Sequence, residues 1–137
     1  MMKLTRRYRF SASHRLSTPR LSAEENRRLY GKCNNPYGHG HDYVLDVTVE
    51  GSPDSYGQLV NREVLDGLVA ERVLSRLDHR DLNTDVPELA GVVPTTENLA
   101  AAIEAALLSG WNIAPRLSKI RVSETDRNIF ELENRNA

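Results

Sequence analysis

Apolar and polar side chains alternate along the first stretch of this chain. Across residues 3–16, Tyr8, Phe10, Ala12 and His14 fall on one side and Arg7, Arg9, Ser11 and Ser13 on the other. A period of two describes a half-buried strand with His14 on its inward side. The pattern stops over residues 17–38, which are polar and carry Pro19, Gly31, Pro36 and Gly38, and this composition predicts a long loop. Alternation resumes at His39, with His41, Tyr43, Leu45, Val47 and Val49 in phase with it and Asp42, Asp46, Thr48 and Glu50 mostly opposite. A second strand follows, again with its histidines on the apolar side.

Residues 51–57 form a turn by composition. Asn61 is placed to cap a helix carrying Val64, Leu65, Leu68, Val69, Val73 and Leu77 at close to helical spacing. Asp78-His79 comes where that helix ends. Pro94-Thr95-Thr96-Glu97-Asn98 reads as a second helix start, with threonine as cap and Glu97 suited to the dipole; Leu99, Ile103, Ala106 and Leu107 make its stripe, which ends near Gly110. The last part alternates once more, with Ile120, Val122 and Glu124 against Lys119, Arg121 and Ser123. Residues 129–133 give a short final strand with Phe130 and Leu132 inward. The order β-β-α-α-β-β predicts an α+β domain, an antiparallel four-stranded sheet with two helices on one face. Two open sheet edges invite pairing between subunits.

The 137 residues fit one domain, 1–137. A hydrophobic fraction of 39% is lean and points to burial between subunits. Eighteen basic and 19 acidic side chains, net −1, lack the bulk positive charge of a nucleic-acid binder. One cysteine fits a reducing compartment, and no run approaches membrane-spanning length, so the chain reads as a soluble cytoplasmic protein.

All four histidines sit in chemically loaded company: His14 on the first strand, His39 and His41 in His-Gly-His, and His79 after Asp78. Residues two apart on a strand share a face, so His39 and His41 can approach one ion, with His14 as third ligand if the strands pair. A set of half-buried, hydrogen-bonded histidines is the alternative; three of inward parity favour a metal. Three imidazoles without a fourth protein ligand suit catalytic zinc, although copper, iron and nickel also accept imidazole. Cys33, in a polar loop leading into His39, is either a small buried hydrophobe or, beside a cation, a thiol of lowered pKa fit to act as base or nucleophile. Asp78-His79 is either a helix-end pair or a carboxylate orienting a general acid–base. Glu124 occupies an inward position; unless it turns outward, it needs a ligand with two adjacent N–H donors, a pattern found on guanine-like and pterin rings. Arg6, Arg7, Arg9 and Arg15 are candidates for a phosphate chain.

Several ordered segments together resemble the 6-pyruvoyl tetrahydropterin synthase family, which also holds the 6-carboxytetrahydropterin synthases of queuosine biosynthesis. They are Phe-Ser-Ala-Ser-His14, Gly-Lys-Cys33-Asn-Asn-Pro-Tyr-Gly-His39-Gly-His41-Asp-Tyr, Leu-Asp78-His79-Arg-Asp-Leu-Asn, Pro-Thr95-Thr96-Glu97-Asn-Leu-Ala and Ser-Glu124-Thr. The resemblance implies zinc on His14, His39 and His41, and proton transfer by Cys33, Asp78 and His79. It also implies pterin binding by Glu124 with Thr95, Thr96 and Glu97. The implied fold is the tunnelling fold, the β-β-α-α-β-β unit, assembled as a homohexamer of two trimers with active sites between subunits. The implied reaction converts 7,8-dihydroneopterin triphosphate, with Mg2+ on the triphosphate, to 6-pyruvoyl-tetrahydropterin. Five residues between Cys33 and His39 resemble this branch rather than the shorter queuosine form, whose enzymes release acetaldehyde and give the 6-carboxy product. A cysteine at 33 sets the chain apart from a branch that has glutamate there, and Asp42 stands where Asn is common. A non-catalytic metal- or pterin-binding protein is the reading of another class; retention of Cys33, Asp78 and His79 weighs against it.

Overall fold

In the computed structural model, which describes residues 1–135, two long strands form the spine. β1 (Met2–His14) and β2 (His39–Gly51) pair antiparallel over their whole length, from Met2 opposite Gly51 to His14 opposite His39. β4 (Arg116–Ser123) adds to the free side of β2, and β5 (Ile129–Glu133) to β4, both antiparallel.

The four-stranded antiparallel expectation needs correction. A fifth strand, β3 (Arg80–Asp81), pairs parallel with β1 at Ala12 and Ser13, giving the order β3-β1-β2-β4-β5. Two residues are too few for a period-two pattern to register. β3 is set by its neighbours: the His79 N–H donates to the Ser11 carbonyl at 2.6 Å and the Leu82 N–H to Ser13 at 2.8 Å.

The predicted loop of 17–38 also needs correction, because it contains α1 (Ala23–Tyr30) and a 3-10 turn (Gly31–Asn34). A full capping box starts α1: the Glu25 N–H donates to Ser22 Oγ and the Ser22 N–H to Glu25 Oε1. The buried residue of this helix is not apolar but Asn26, whose amide donates to the carbonyls of Thr18, Leu21 and Ser22 while its oxygen accepts from the Thr18 N–H. A helix anchored by an amide shows no hydrophobic stripe, so periodicity passes over it.

The other two helical segments appear where the pattern puts them. Asn61 caps α2 (Arg62–Val69), accepting from Glu63 and Val64 N–H; the helix runs on through a π turn (Ala70–Leu74) into α3 (Ser75–Leu77). Thr95 caps α4 (Thr96–Gly110) by accepting from the Asn98 N–H. These helices cover one face of the sheet, where Leu45, Val47, Val49, Ile120 and Val122 meet Leu65, Val69, Val73, Leu99, Ile103 and Leu107. At ~25 cal/mol per Å² of apolar surface, this row supplies the main driving force for folding. The opposite face is polar, with Arg7 bidentate on Asp46 and Thr5 bonded across the strands to Thr48. Among the described residues no helix is long and apolar enough to cross a membrane.

Candidate metal centre and active site

The β1–β2 register brings the histidines together. His14 faces His39, and Ala12 faces His41, so all three rings project inward from the same end of the ladder. Ring centroids are 5.2 Å apart for His14–His39, 5.0 Å for His14–His41 and 4.6 Å for His39–His41. The Nε2 atom of His39 lies 3.2 Å from Nε2 of His14 and 3.2 Å from Nε2 of His41.

These contacts fit a cation better than hydrogen bonds alone. His14 Nδ1 lies 2.9 Å from the Pro94 carbonyl, which can only accept, so Nδ1 carries the proton and Nε2 of the neutral ring presents a lone pair. Burial lowers the pKa of His14 and of His41, keeping both rings neutral near pH 7. One proton on His39 Nε2 can serve one neighbour, and the other is left lone pair to lone pair. Zinc–imidazole bonds of ~2.0–2.1 Å in tetrahedral geometry set ligand atoms about 3.3 Å apart, close to the 3.2 Å of the His14–His39 and His39–His41 pairs. A ligating histidine whose second nitrogen is held by a carbonyl is also the usual arrangement around such ions.

Cys33 reaches the same place from the 3-10 turn. The Leu16 N–H donates to the Cys33 carbonyl at 2.6 Å, and the Asn34 amide donates to the Leu16 carbonyl at 2.8 Å, so the turn is stitched to the chain just past His14. Cys33 Sγ and one nitrogen from each of the three rings all lie within 4.8 Å of one another. The expected lowering of the thiol pKa does not come from the protein's own groups: burial first, then the charge of Glu124, push it up. A thiolate at 33 therefore needs a cation beside it.

Glu124 is inward and largely buried, as its parity predicts. Its Oε1 lies 3.3 Å from His41 Nε2 and 3.8 Å from His14 Nε2. Carboxylate and thiol thus both stand beside the three rings. The start of α4 is fastened to the same centre through Pro94. There Thr95 is engaged as the cap, Thr96 is buried, and Glu97 is exposed in the first turn.

Asp78 and His79 are placed differently. Asp78 Oδ1 accepts from the Ser11 N–H at 2.9 Å, and its Oδ2 lies 3.6 Å from His79 Nε2. His79 itself takes a positive φ of 60° and leaves its side chain 82% exposed. Among the described residues, no hydrogen bond, ion pair or ring contact joins His79 to Cys33 or to the other imidazoles.

Of the arginines considered for phosphate, Arg6 is held bidentate by Asp66, which also accepts from Tyr8 Oη at 2.6 Å, and Arg7 is held by Asp46. An open cleft beside His39 is instead lined by Arg27, Lys32, Asn34, Asn35 and Pro36, and Arg15 lines a neighbouring one with His14. Arg27 and Lys32 escaped the sequence reading because α1 did.

The sequence model of the 6-pyruvoyl tetrahydropterin synthase family matches residues 3–135. The chain is 48% identical over 133 residues to the 6-pyruvoyl tetrahydrobiopterin synthase of Poecilia reticulata, covering 92% of this chain and 86% of the relative. It is 47% identical over 128 residues to the human protein of that name, covering 93% and 88%. The solved structure of Caenorhabditis elegans 6-pyruvoyl tetrahydropterin synthase superposes with a TM-score of 0.88 at 36% identity, covering 97% of this chain and 95% of that one.

Proposed function

The chain belongs to the 6-pyruvoyl tetrahydropterin synthase family, and from that membership we propose that it is a zinc-dependent lyase converting 7,8-dihydroneopterin triphosphate to 6-pyruvoyl-tetrahydropterin with elimination of triphosphate. The observation that carries the reading is the convergence of His14, His39 and His41 with the Cys33 thiol inside one 4.8 Å cluster.

His14, His39 and His41 hold the zinc. Bound there, the ion supplies Lewis-acid polarisation of substrate side-chain oxygens, which acidifies the adjoining C–H bonds. Cys33 takes a proton from carbon through Sγ, and His79, oriented by Asp78, returns one from its imidazole. Glu124 accepts two N–H donors of the pterin ring, assisted by Thr95, Thr96 and Glu97 at the start of α4. Arg27, Lys32 and Arg15 face the clefts beside the cluster and are the cations placed to meet the Mg2+-bound triphosphate.

An 82% exposed His79 supports a further element of this reading, namely that the dyad serves a site shared between copies. The assembly is then a homohexamer of two trimers, each subunit a single domain of residues 1–137, whose last two residues lie outside the described ones. The lone cysteine supports a cytoplasmic setting.

The direct test incubates zinc-loaded protein with 7,8-dihydroneopterin triphosphate and Mg2+ and follows triphosphate release. The product mass should be that of 6-pyruvoyl-tetrahydropterin. A 6-carboxy product with acetaldehyde would move the protein to the queuosine branch, and no release from zinc-loaded oligomer would end the lyase reading.

A further inference from the structure

Asn83 stands at the far end of the segment that carries Asp78 and His79, and no role has yet been given to it. β3 pairs with the edge of β1 over two residues, Arg80 with Ala12 and Asp81 with Ser13. Side chains lengthen that pairing at both ends. Before it, Asp78 Oδ1 accepts from the Ser11 N–H at 2.9 Å, and after it the Asn83 amide takes both backbone groups of Arg15. The Arg15 N–H donates to Asn83 Oδ1 at 2.7 Å, and Asn83 Nδ2 donates to the Arg15 carbonyl at 2.8 Å. A side-chain amide thus serves Arg15 as a neighbouring strand would, with one acceptor and one donor. The asparagine is itself held, because its own N–H donates to Asp81 Oδ1 at 2.9 Å.

The two segments joined by this clamp are not equally firm. On the β1 side, His14 is fixed by pairing with β2 and by the Pro94 carbonyl, and Leu16 is bonded to Cys33 and Asn34. On the other side, His79 is the one non-glycine residue at positive φ among the described residues. Such a backbone is strained and persists where its surroundings impose it. With its side chain 82% exposed, His79 takes this conformation from bonds along the backbone. Its own N–H is on the Ser11 carbonyl, the Leu82 N–H is on Ser13, and the Asn83 amide closes the series on Arg15. Opening the clamp therefore loosens residues 78–83 and leaves His14 in place.

We propose that Asn83 is a positioning residue for the reaction: its amide, closed on the Arg15 backbone, holds the His79 imidazole where it delivers its proton. It acts through His79 and not through the metal. The inference rests on the reading of Asp78 and His79 as an acid–base dyad, and it adds the group that keeps the dyad in place.

In the full-length zinc-loaded protein, Asn83→Ala removes the clamp. Asn83→Asp keeps the acceptor for the Arg15 N–H but sets an oxygen against the Arg15 carbonyl. Both should lower kcat about tenfold, as for loss of a pair of modest hydrogen bonds. KM for the triphosphate substrate should hold within about twofold, zinc should stay at one per chain, and the melting temperature should fall by a few degrees at most. Added to His79→Ala, Asn83→Ala should change kcat by less than about twofold, because the group it positions is gone. An equal fall in both backgrounds would overturn the inference, and so would an unchanged kcat or a loss of zinc. Hydrogen exchange reads the clamp without turnover. In Asn83→Ala the amides of Arg15, His79 and Leu82 should exchange about tenfold faster, with that of Leu45 in β2 unchanged. Unchanged exchange at His79 would overturn the positioning role. Faster exchange in a protein without turnover, or with turnover indifferent to His79→Ala, would instead overturn the dyad reading, and the inference would fall with it.

Discussion

The Nδ1–H of His14 is engaged by the Pro94 carbonyl, which leaves Nε2 as a lone pair 3.2 Å from His39 Nε2. That single bond ties the tautomer of a strand residue to the start of a helix 80 positions away. Cys33 is held as firmly through its backbone, but its side chain is free to act, and its identity decides between two roles. As a proton carrier it is dispensable for metal binding; as a fourth ligand it is not. Cys33→Ala is expected to lower turnover by about 10²–10⁴, the usual contribution of a positioned acid–base, while zinc content measured by atomic absorption stays at one per chain. Zinc lost together with activity would instead make Cys33 a ligand. The residue types were legible from sequence, since three histidines of inward parity and one cysteine stand out in any reading. The upward push on the thiol was not, because it depends on burial and on Glu124, which is 91 residues away in the chain.

At the level of strands and turns, two glycines flank His39, and the structure gives them unequal importance. Gly40 lies between His39 and His41, and a Cβ there would sit 3.7 Å from the Ala12 carbonyl oxygen, an ordinary contact. Gly38 has φ +71°, and a Cβ there would come within 2.8 Å of the His14 carbonyl oxygen. That contact is backbone against backbone and cannot be relieved by a rotamer. Gly38→Ala is therefore expected to cost about 1–3 kcal/mol in denaturant unfolding and to weaken zinc binding by roughly tenfold in a chelator competition, because His14 and His39 must separate. Gly40→Ala should change stability by less than about 0.5 kcal/mol. A Gly40→Ala variant as damaged as Gly38→Ala would show that the turn geometry is misassigned. The long strands and the helices α2 and α4 were legible because a continuous apolar face repeats along each. α1 was hidden by its amide anchor, and β3 by its length.

At the scale of the whole molecule, no contact among the described residues joins Cys33 to His79. One is inside the cluster; the other stands 82% exposed on the turn entering β3, held there by Ser11. If copies of the chain share active sites, Cys33→Ala and His79→Ala subunits should complement each other. After separate inactivation, unfolding and joint refolding at equal ratio, about a quarter of the sites would carry both intact groups when each site draws them from two chains in a closed symmetric assembly. Recovery of activity near that fraction, with a hexamer's mass by light scattering, is the expected result. No recovery would return the dyad to its own subunit or remove it from the reaction.

Periodicity alone determined which faces of the long strands and helices are apolar, because burial on a regular element repeats every two or three to four residues. It therefore also put His14, His39 and His41 on the apolar side, while leaving Glu124, one residue past the end of β4, free to turn either way. Only the tertiary structure decided that these four meet: the β1–β2 register sets His14 against His39, and the β2–β4 register carries Glu124 to the same level. It alone placed the thiol among the imidazoles and fixed the tautomer through Pro94. Those outcomes depend on distances between segments far apart in the chain, and a local pattern carries no information about such distances.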